Sequence, residues 1–361
     1  MHETIEANAR RVMEVCNACR YCEGYCAVFP AMELRREFAA GDLTYLANLC
    51  HNCMGCYYAC QFAPPHEYGI NVPRVFAELR QESYERFAWP EPLAALYRRN
   101  GLVVALATAG GIAAVLLLTA VLAGAASVRA HPVEPGRGFY DVIPFAPMVA
   151  VGSTTFLFAL LAMTVGVGRF WRATGGGRPS WDAWRQALRD AATLRHLSGG
   201  GHGCNDSGES FSSARRYWHH ALAYGFLLCF AATTAGTIYH HLLGWPAPYP
   251  FFSLPVLLGT AGGVGMVAGG AGLFWLKLAG DQAPRSRALL GSETGLLLLL
   301  LLVAATGLLL LAVRATGAMG VALAVHLGAV LALFLLLPYS KFVHGLYRTA
   351  ALLRHAIERP G

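Results

Sequence analysis

Beyond residue 100 the chain is built of long apolar runs. At 1.5 Å of rise per residue, six of them are long enough to cross about 30 Å of hydrocarbon. They lie near 102–126, 144–168, 219–243, 254–277, 294–313 and 318–340. The residues before them are polar and mixed, with helical rather than alternating spacing. The pattern predicts helices over 31–38 and 43–49, with Gly41 and Asp42 as a break and cap, and a further helix over 71–86. Trp89-Pro90-Glu91-Pro92 marks a boundary. The expected fold is therefore all-α: an N-terminal helical domain, 1–92, and a six-span transmembrane domain, 93–361, with a cytoplasmic loop at 169–216.

Composition agrees. With 55% hydrophobic and 14% charged residues, the chain is too apolar for an ordinary soluble enzyme. The net charge of +7 is spread over loops, which argues for membrane orientation and against nucleic-acid binding. Arg98 and Arg99 precede the first span, and Arg169, Arg172, Arg178, Arg185, Arg189, Arg195, Arg215 and Arg216 separate the second from the third. Lys277, Arg285 and Arg287 follow the fourth span, and Lys341, Arg348, Arg354 and Arg359 follow the sixth. The opposite loops carry only Arg129, Arg137 and Arg314. Positive charge marks the cytoplasmic side, so both termini are expected there. Met1 to Arg11 is polar and has no secretory character, so the N-terminal domain is expected to stay on the side of its synthesis.

Eight of the ten cysteines fall in two matching blocks, Cys16, Cys19, Cys22, Cys26 and Cys50, Cys53, Cys56, Cys60. Thiolates spaced by two residues wrap one iron cluster from a tight loop, and the fourth, three residues on, serves the neighbouring cluster. The spacing predicts two 4Fe–4S centres with crossed ligation. Cys16, Cys19, Cys22 and Cys60 would hold one, and Cys50, Cys53, Cys56 and Cys26 the other. Zinc usually takes two ligand pairs across a longer spacer, and a reducing cytoplasm disfavours disulfides. Pro30 and Pro64 follow the fourth cysteines at a distance, unlike the bacterial ferredoxin run, and the helical spacing between the blocks favours an α-helical ferredoxin domain.

Ionisable side chains at membrane depth are costly and usually functional. Here His219, His220, His240 and His241 lie on the third span, and His326 and His344 on the sixth. Neutral imidazoles from two facing helices suit the axial positions of a b-type haem. An inner pair, His219 or His220 with His344, and an outer pair, His240 or His241 with His326, could each ligate one. The 18 residues between His326 and His344 place both on one helix face, about 27 Å apart, with a kink expected at Pro338. The bland alternative makes the terminal histidines polar caps in the headgroup region.

The fourth span is rich in glycine from Gly259 to Gly272, which suggests close helix packing or room for a flat cofactor. In the loop, 181–197 is amphipathic, and the glycine-rich 198–205 has no flanking strand or lysine of a phosphate loop, so it reads as flexible surface or a docking site. Cys204 reads as a lone thiol there and Cys229 as a small hydrophobe.

The stretches Cys16-Asn-Ala-Cys19-Arg-Tyr-Cys22-Glu-Gly-Tyr-Cys26 and Cys50-His-Asn-Cys53-Met-Gly-Cys56-Tyr-Tyr-Ala-Cys60, with Leu188 to Leu197, Gly200 to Asn205 and Arg215 to His220, resemble the tricarballylate-utilisation protein B / citrate-utilisation protein B family. The likeness covers nearly the whole chain. It implies an electron-transfer protein of the bacterial inner membrane that serves a soluble FAD-dependent dehydrogenase acting on tricarballylate. Electrons would pass from reduced flavin through two 4Fe–4S clusters and haem b to quinone. It also implies a membrane bundle similar to the nitrate reductase gamma subunit. The cysteine blocks alone would equally suit a conduit for another dehydrogenase or a disulfide reductase, a redox sensor or a membrane anchor.

Overall fold

The computed structural model describes residues 4–97, 101–123, 139–201, 203–245 and 247–359. Every regular element among them is helical, and the one strand-like pairing is an isolated bridge between Cys204 and Ser212.

The N-terminal domain is a knot of short helices. Helix α1 (Ile5–Cys19) starts on Thr4, whose hydroxyl accepts from the Ala7 N–H at 3.2 Å, and stops at Arg20 in the left-handed region. Helices α2 (Val28–Glu33), α3 (Ala40–Leu49) and α4 (Gly55–Tyr58) follow. Helix α5 (Val72–Phe87) is capped by Asn71, whose side chain accepts from the Arg74 N–H at 3.1 Å, with Pro73 in its first turn. It packs on α1 and α3 around the fully buried Met13, Leu43, Leu46 and Phe76. The helix expected over 31–38 ends at Glu33, and Gly41 and Asp42 sit inside the first turn of α3 rather than before it.

After the short α6 (Glu91–Tyr97) come α7 (Gly101–Ala123), α8 (Phe139–Val142), α9 (Phe145–Ala173), α10 (Trp181–Thr193), α11 (Ala214–His241), α12 (Leu254–Ala279), α13 (Leu290–Val313), α14 (Met319–Leu336) and α15 (His344–Glu358). Five described helices, α9, α11, α12, α13 and α14, are long and apolar enough to cross a bilayer. Helix α7 stands where the first span is expected. The chain is thus a multi-pass membrane protein. Residues 124–126, most of the loop 127–143, Arg98, Arg99, Arg129 and Arg137 lie outside the described residues.

The glycines of α12 are filled by a neighbouring backbone. Helices α11 and α12 form a close hairpin, and a Cβ on Gly262 would come 2.7 Å from the Gly225 carbonyl oxygen, and one on Gly269 2.4 Å from the Leu222 nitrogen. Room for a flat cofactor is therefore absent at these two glycines. Helix α14 packs instead on α7, α9 and α13.

The sixth span does not kink at Pro338: it ends. A 3₁₀ turn, Leu337–Tyr339, and a second, Lys341–Val343, separate α14 from α15. Proline removes a backbone donor, and the chain turns there rather than bending. His326 and His344 therefore lie on different helices, so the single-face geometry does not apply. Helix α15 runs back over the N-terminal domain, packing on α3 and on α10. Arg35 and Arg354 both bond Asp42 and Glu358 and lie over the Tyr45 ring at 4.9 and 4.3 Å.

Candidate metal centres and the buried histidines

The two cysteine blocks share a spacing but not a local structure. Cys16 and Cys19 ride on the last turn of α1, and the Arg20 N–H closes that turn on the Cys16 carbonyl at 2.8 Å. Cys50 instead follows α3 directly, and the loop to α4 turns through Asn52 and Met54, both in the left-handed region. One block is a helix end and the other an open loop.

Folding sorts the thiols into two groups. A cavity of about 280 Å³ is lined by Cys16, Cys19, Cys22, Cys56 and Cys60. A second, narrower one is lined by Cys26, Cys50, Cys53 and Cys56. Burial, then repulsion from Cys60, Cys22 and Cys19, pushes the Cys16 thiol up to about 12. Burial likewise takes Cys26 well above the usual thiol range, with Cys53 and Cys50 as its charged neighbours. Thiols held protonated in this way lose their protons when they ligate a metal.

Backbone donors face the sulfurs. Val28 and Phe29, in the first turn of α2, hydrogen-bond Cys26, and Phe62 and Ala63 hydrogen-bond Cys60. Cys53 receives the N–H groups of Gly55 and Gly199. Gly199 belongs to the glycine-rich loop, which is not flexible surface: it lies on the second cysteine block. The Asn205 N–H donates to the Cys53 carbonyl at 2.9 Å, and the Gly200 N–H to the Tyr25 carbonyl at 3.1 Å. Gly199, Gly200, Gly201 and Gly203 all have positive φ, which only glycine adopts without strain. A Cβ on Gly55 would stand 2.8 Å from the Gly199 oxygen. Cys204 is 1% exposed and packs with Cys53, Leu194 and Leu197, so it is part of this lid and not a surface thiol. His202 lies outside the described residues.

Several arginines of the loop are engaged inside the chain. Arg215 bonds Asp206 and donates to the Asn52 carbonyl, and Arg216 donates to the Leu197 carbonyl at 3.1 Å.

The candidate histidines separate. His219 and His344 come together, with ring centres 6.0 Å apart, nearly perpendicular. His344 donates from Nδ1 to the Lys341 carbonyl at 2.6 Å, which leaves Nε2 with its lone pair. His220 packs on Tyr224. His240 stacks on Phe145 at 4.5 Å and meets His241 at 5.0 Å. His326 faces α13, where its Nδ1 is 3.2 Å from the Thr306 hydroxyl and Gly307 leaves space for the ring.

A profile for the citrate utilization protein B Fer4-like domain matches residues 9–86, and one for citrate utilization protein B matches residues 95–361. The chain belongs to the citrate utilization protein B family. Citrate utilization protein B of Escherichia coli is 50% identical over 357 residues, 98% of this chain and 93% of that one. No solved structure matches the chain closely. The Fer4-like match makes the N-terminal unit of this family member an iron–sulfur type of domain and accounts for eight cysteines where a disulfide framework would not. Spacing alone could not reveal the lid over Cys53, because its donors, Gly199 and Asn205, lie far along the chain, beyond the second span.

Proposed function

We propose that this chain carries electrons from the reduced flavin of a soluble FAD-dependent tricarballylate (or related tricarboxylate) dehydrogenase to membrane quinone, through two 4Fe–4S clusters and haem b. The observation that carries the reading is that Cys60 lines a cavity with Cys16, Cys19 and Cys22, and Cys26 one with Cys50 and Cys53, while Cys56 lines both, which supports crossed ligation. Among the described residues no three side chains converge tightly enough for a single metal ion. The thiols ring cavities instead, as a cubane requires. Cys16, Cys19, Cys22 and Cys60 would hold one cluster, and Cys50, Cys53, Cys56 and Cys26 the other. Such clusters supply reversible one-electron storage. The chain's own part is to exclude water, aim N–H groups at the sulfurs and fix the spacing.

His219 and His344 fit a haem iron. Their ring centres are 6.0 Å apart, so with metal–nitrogen bonds of about 2 Å these two imidazoles would hold the iron between them. The carbonyl of Lys341 orients His344, the usual outer support of a metal-bound imidazole. His326 already has Thr306 as a partner, and His240 and His241 pack on aromatic rings, so the inner pair is the favoured site.

The N-terminal domain and α15 pack together, which supports both termini on one side of the membrane, and the arginine-rich loops make that side the cytoplasmic face of a bacterial inner membrane. A soluble flavoprotein reaches the cysteine domain from that side. Anaerobically purified protein is expected to contain iron, acid-labile sulfide and low-spin haem, and its membranes to reoxidise the dehydrogenase flavin with quinone as acceptor. Stoichiometric zinc without sulfide, or equal turnover without these membranes, would refute the conduit.

A further inference from the structure

The end of α3 directs its last carbonyls into buried space, and cations meet them there. Arg80 donates from Nη1 to the carbonyls of Ala47 and Cys50 at 2.8 and 3.0 Å. Arg348 donates from Nη2 to the same Cys50 carbonyl at 3.0 Å. Arg215 reaches the Asn52 carbonyl two residues on, but it is paired with Asp206. Among the described residues neither Arg80 nor Arg348 has a carboxylate within ion-pair distance. Arg80 is 5% exposed, and the Nε of Arg348 is buried without a partner. Guanidinium groups buried without counter-charge are costly. The partial negative charge of one helix C-terminus accounts for one such cation more readily than for two. At the first cavity, Arg20 bonds the Asn17 carbonyl at 3.0 Å, but it is exposed and screened.

We infer that Arg80 and Arg348 hold the cluster of the second cavity at the higher reduction potential of the two, so that electrons enter at Cys16, Cys19, Cys22 and Cys60 and leave from the Cys50 side toward His344. This rests on the iron–sulfur reading above. Reduction adds one negative charge to a group already bound by thiolates, and fixed cations in a low dielectric favour it. Burial opposes added charge. The two unscreened guanidinium groups, with the N–H groups of Asn52 on Cys50 and of Gly55 and Gly199 on Cys53, outweigh that opposition. In the transfer the first cluster gives up one electron and returns to its oxidised form while the second is reduced, with no bond made or broken. Arg348 lies one turn beyond His344 on α15, so a single helix joins the Cys50 carbonyl to the imidazole beside His219.

The test is a redox titration of the anaerobic full-length protein followed by electron paramagnetic resonance, with Cys19→Ser assigning the signal of the first cavity. The second cluster should show the higher midpoint. Arg348→Gln and Arg80→Gln should each lower that midpoint and leave the first in place, while Arg348→Lys restores it. A purely capping role would change stability without moving one midpoint selectively. A lower midpoint for the second cluster in the unsubstituted protein overturns the ordering. So does a shift of both signals or of neither in Arg80→Gln, which also decides the matter if Arg348→Gln fails to assemble. Absence of iron and sulfide from the unsubstituted protein would instead remove the cluster reading itself.

Discussion

Cys53 receives two backbone N–H groups, one from its own loop and one from a glycine far along the chain. Its replacement by serine should abolish or alter one of two cluster signals and leave the other, as read by low-temperature resonance and iron content. Gly55→Ala tests the lid rather than the ligand. A methyl group there presses on backbone atoms of Gly199, which cannot rotate away, and overpacking of this kind costs about 1–3 kcal/mol. The variant should melt at lower temperature and lose iron from the second site first. At this scale the sequence was informative about thiols and nearly silent about what surrounds them. Identical spacing hid the fact that Cys16 and Cys19 end a helix while Cys53 sits in an open loop. Of the buried arginines on Cys50, Arg348 was legible only as charge after the sixth span, and Arg80 only as a position on the helix predicted over 71–86.

Among elements, apolar length pointed to the five long apolar helices described here, because bilayer thickness constrains such lengths directly. It fixed the partners of each span poorly. Histidines on the third and sixth runs suggested two facing helices, yet α11 pairs with α12, and only the break at Pro338 brings His344 back to His219. The α11–α12 hairpin depends on backbone contact, so Gly262→Leu should prevent its closure and lower the yield of folded protein in detergent. Helix α15 gives a pH prediction. His196 is 5.8 Å from His51 and 6.0 Å from His355, and burial holds His196 below its usual range and His355 at about 4. The unfolded chain binds protons at these sites near 6.5 and the folded one does not. Their stabilisation is therefore present above about 6.5 and lost as pH falls toward about 4. Melting temperature should drop across that window, and less steeply in His355→Gln.

For the molecule as a whole, composition and charge asymmetry indicated a membrane protein with a soluble domain, and the topology they imply can be checked directly. Reporter fusions should place loop 127–143 outside and loop 169–216 and the C-terminus inside. What no composition could disclose is the closure of the N-terminal domain by α15, through Glu358 bonded to Arg35, Tyr45 and Arg354. Glu358→Gln should cost about 2 kcal/mol, less than a fully buried pair because the side chain is partly exposed. That contact joins residues 323 positions apart, and it bears on how the protein is made. The cysteines leave the ribosome early, whereas the helix that seals them and the lid that covers Cys53 are synthesised only after several membrane segments have been inserted. During translation the thiols stand open to whatever machinery delivers iron and sulfide, and completion of the chain shuts that window.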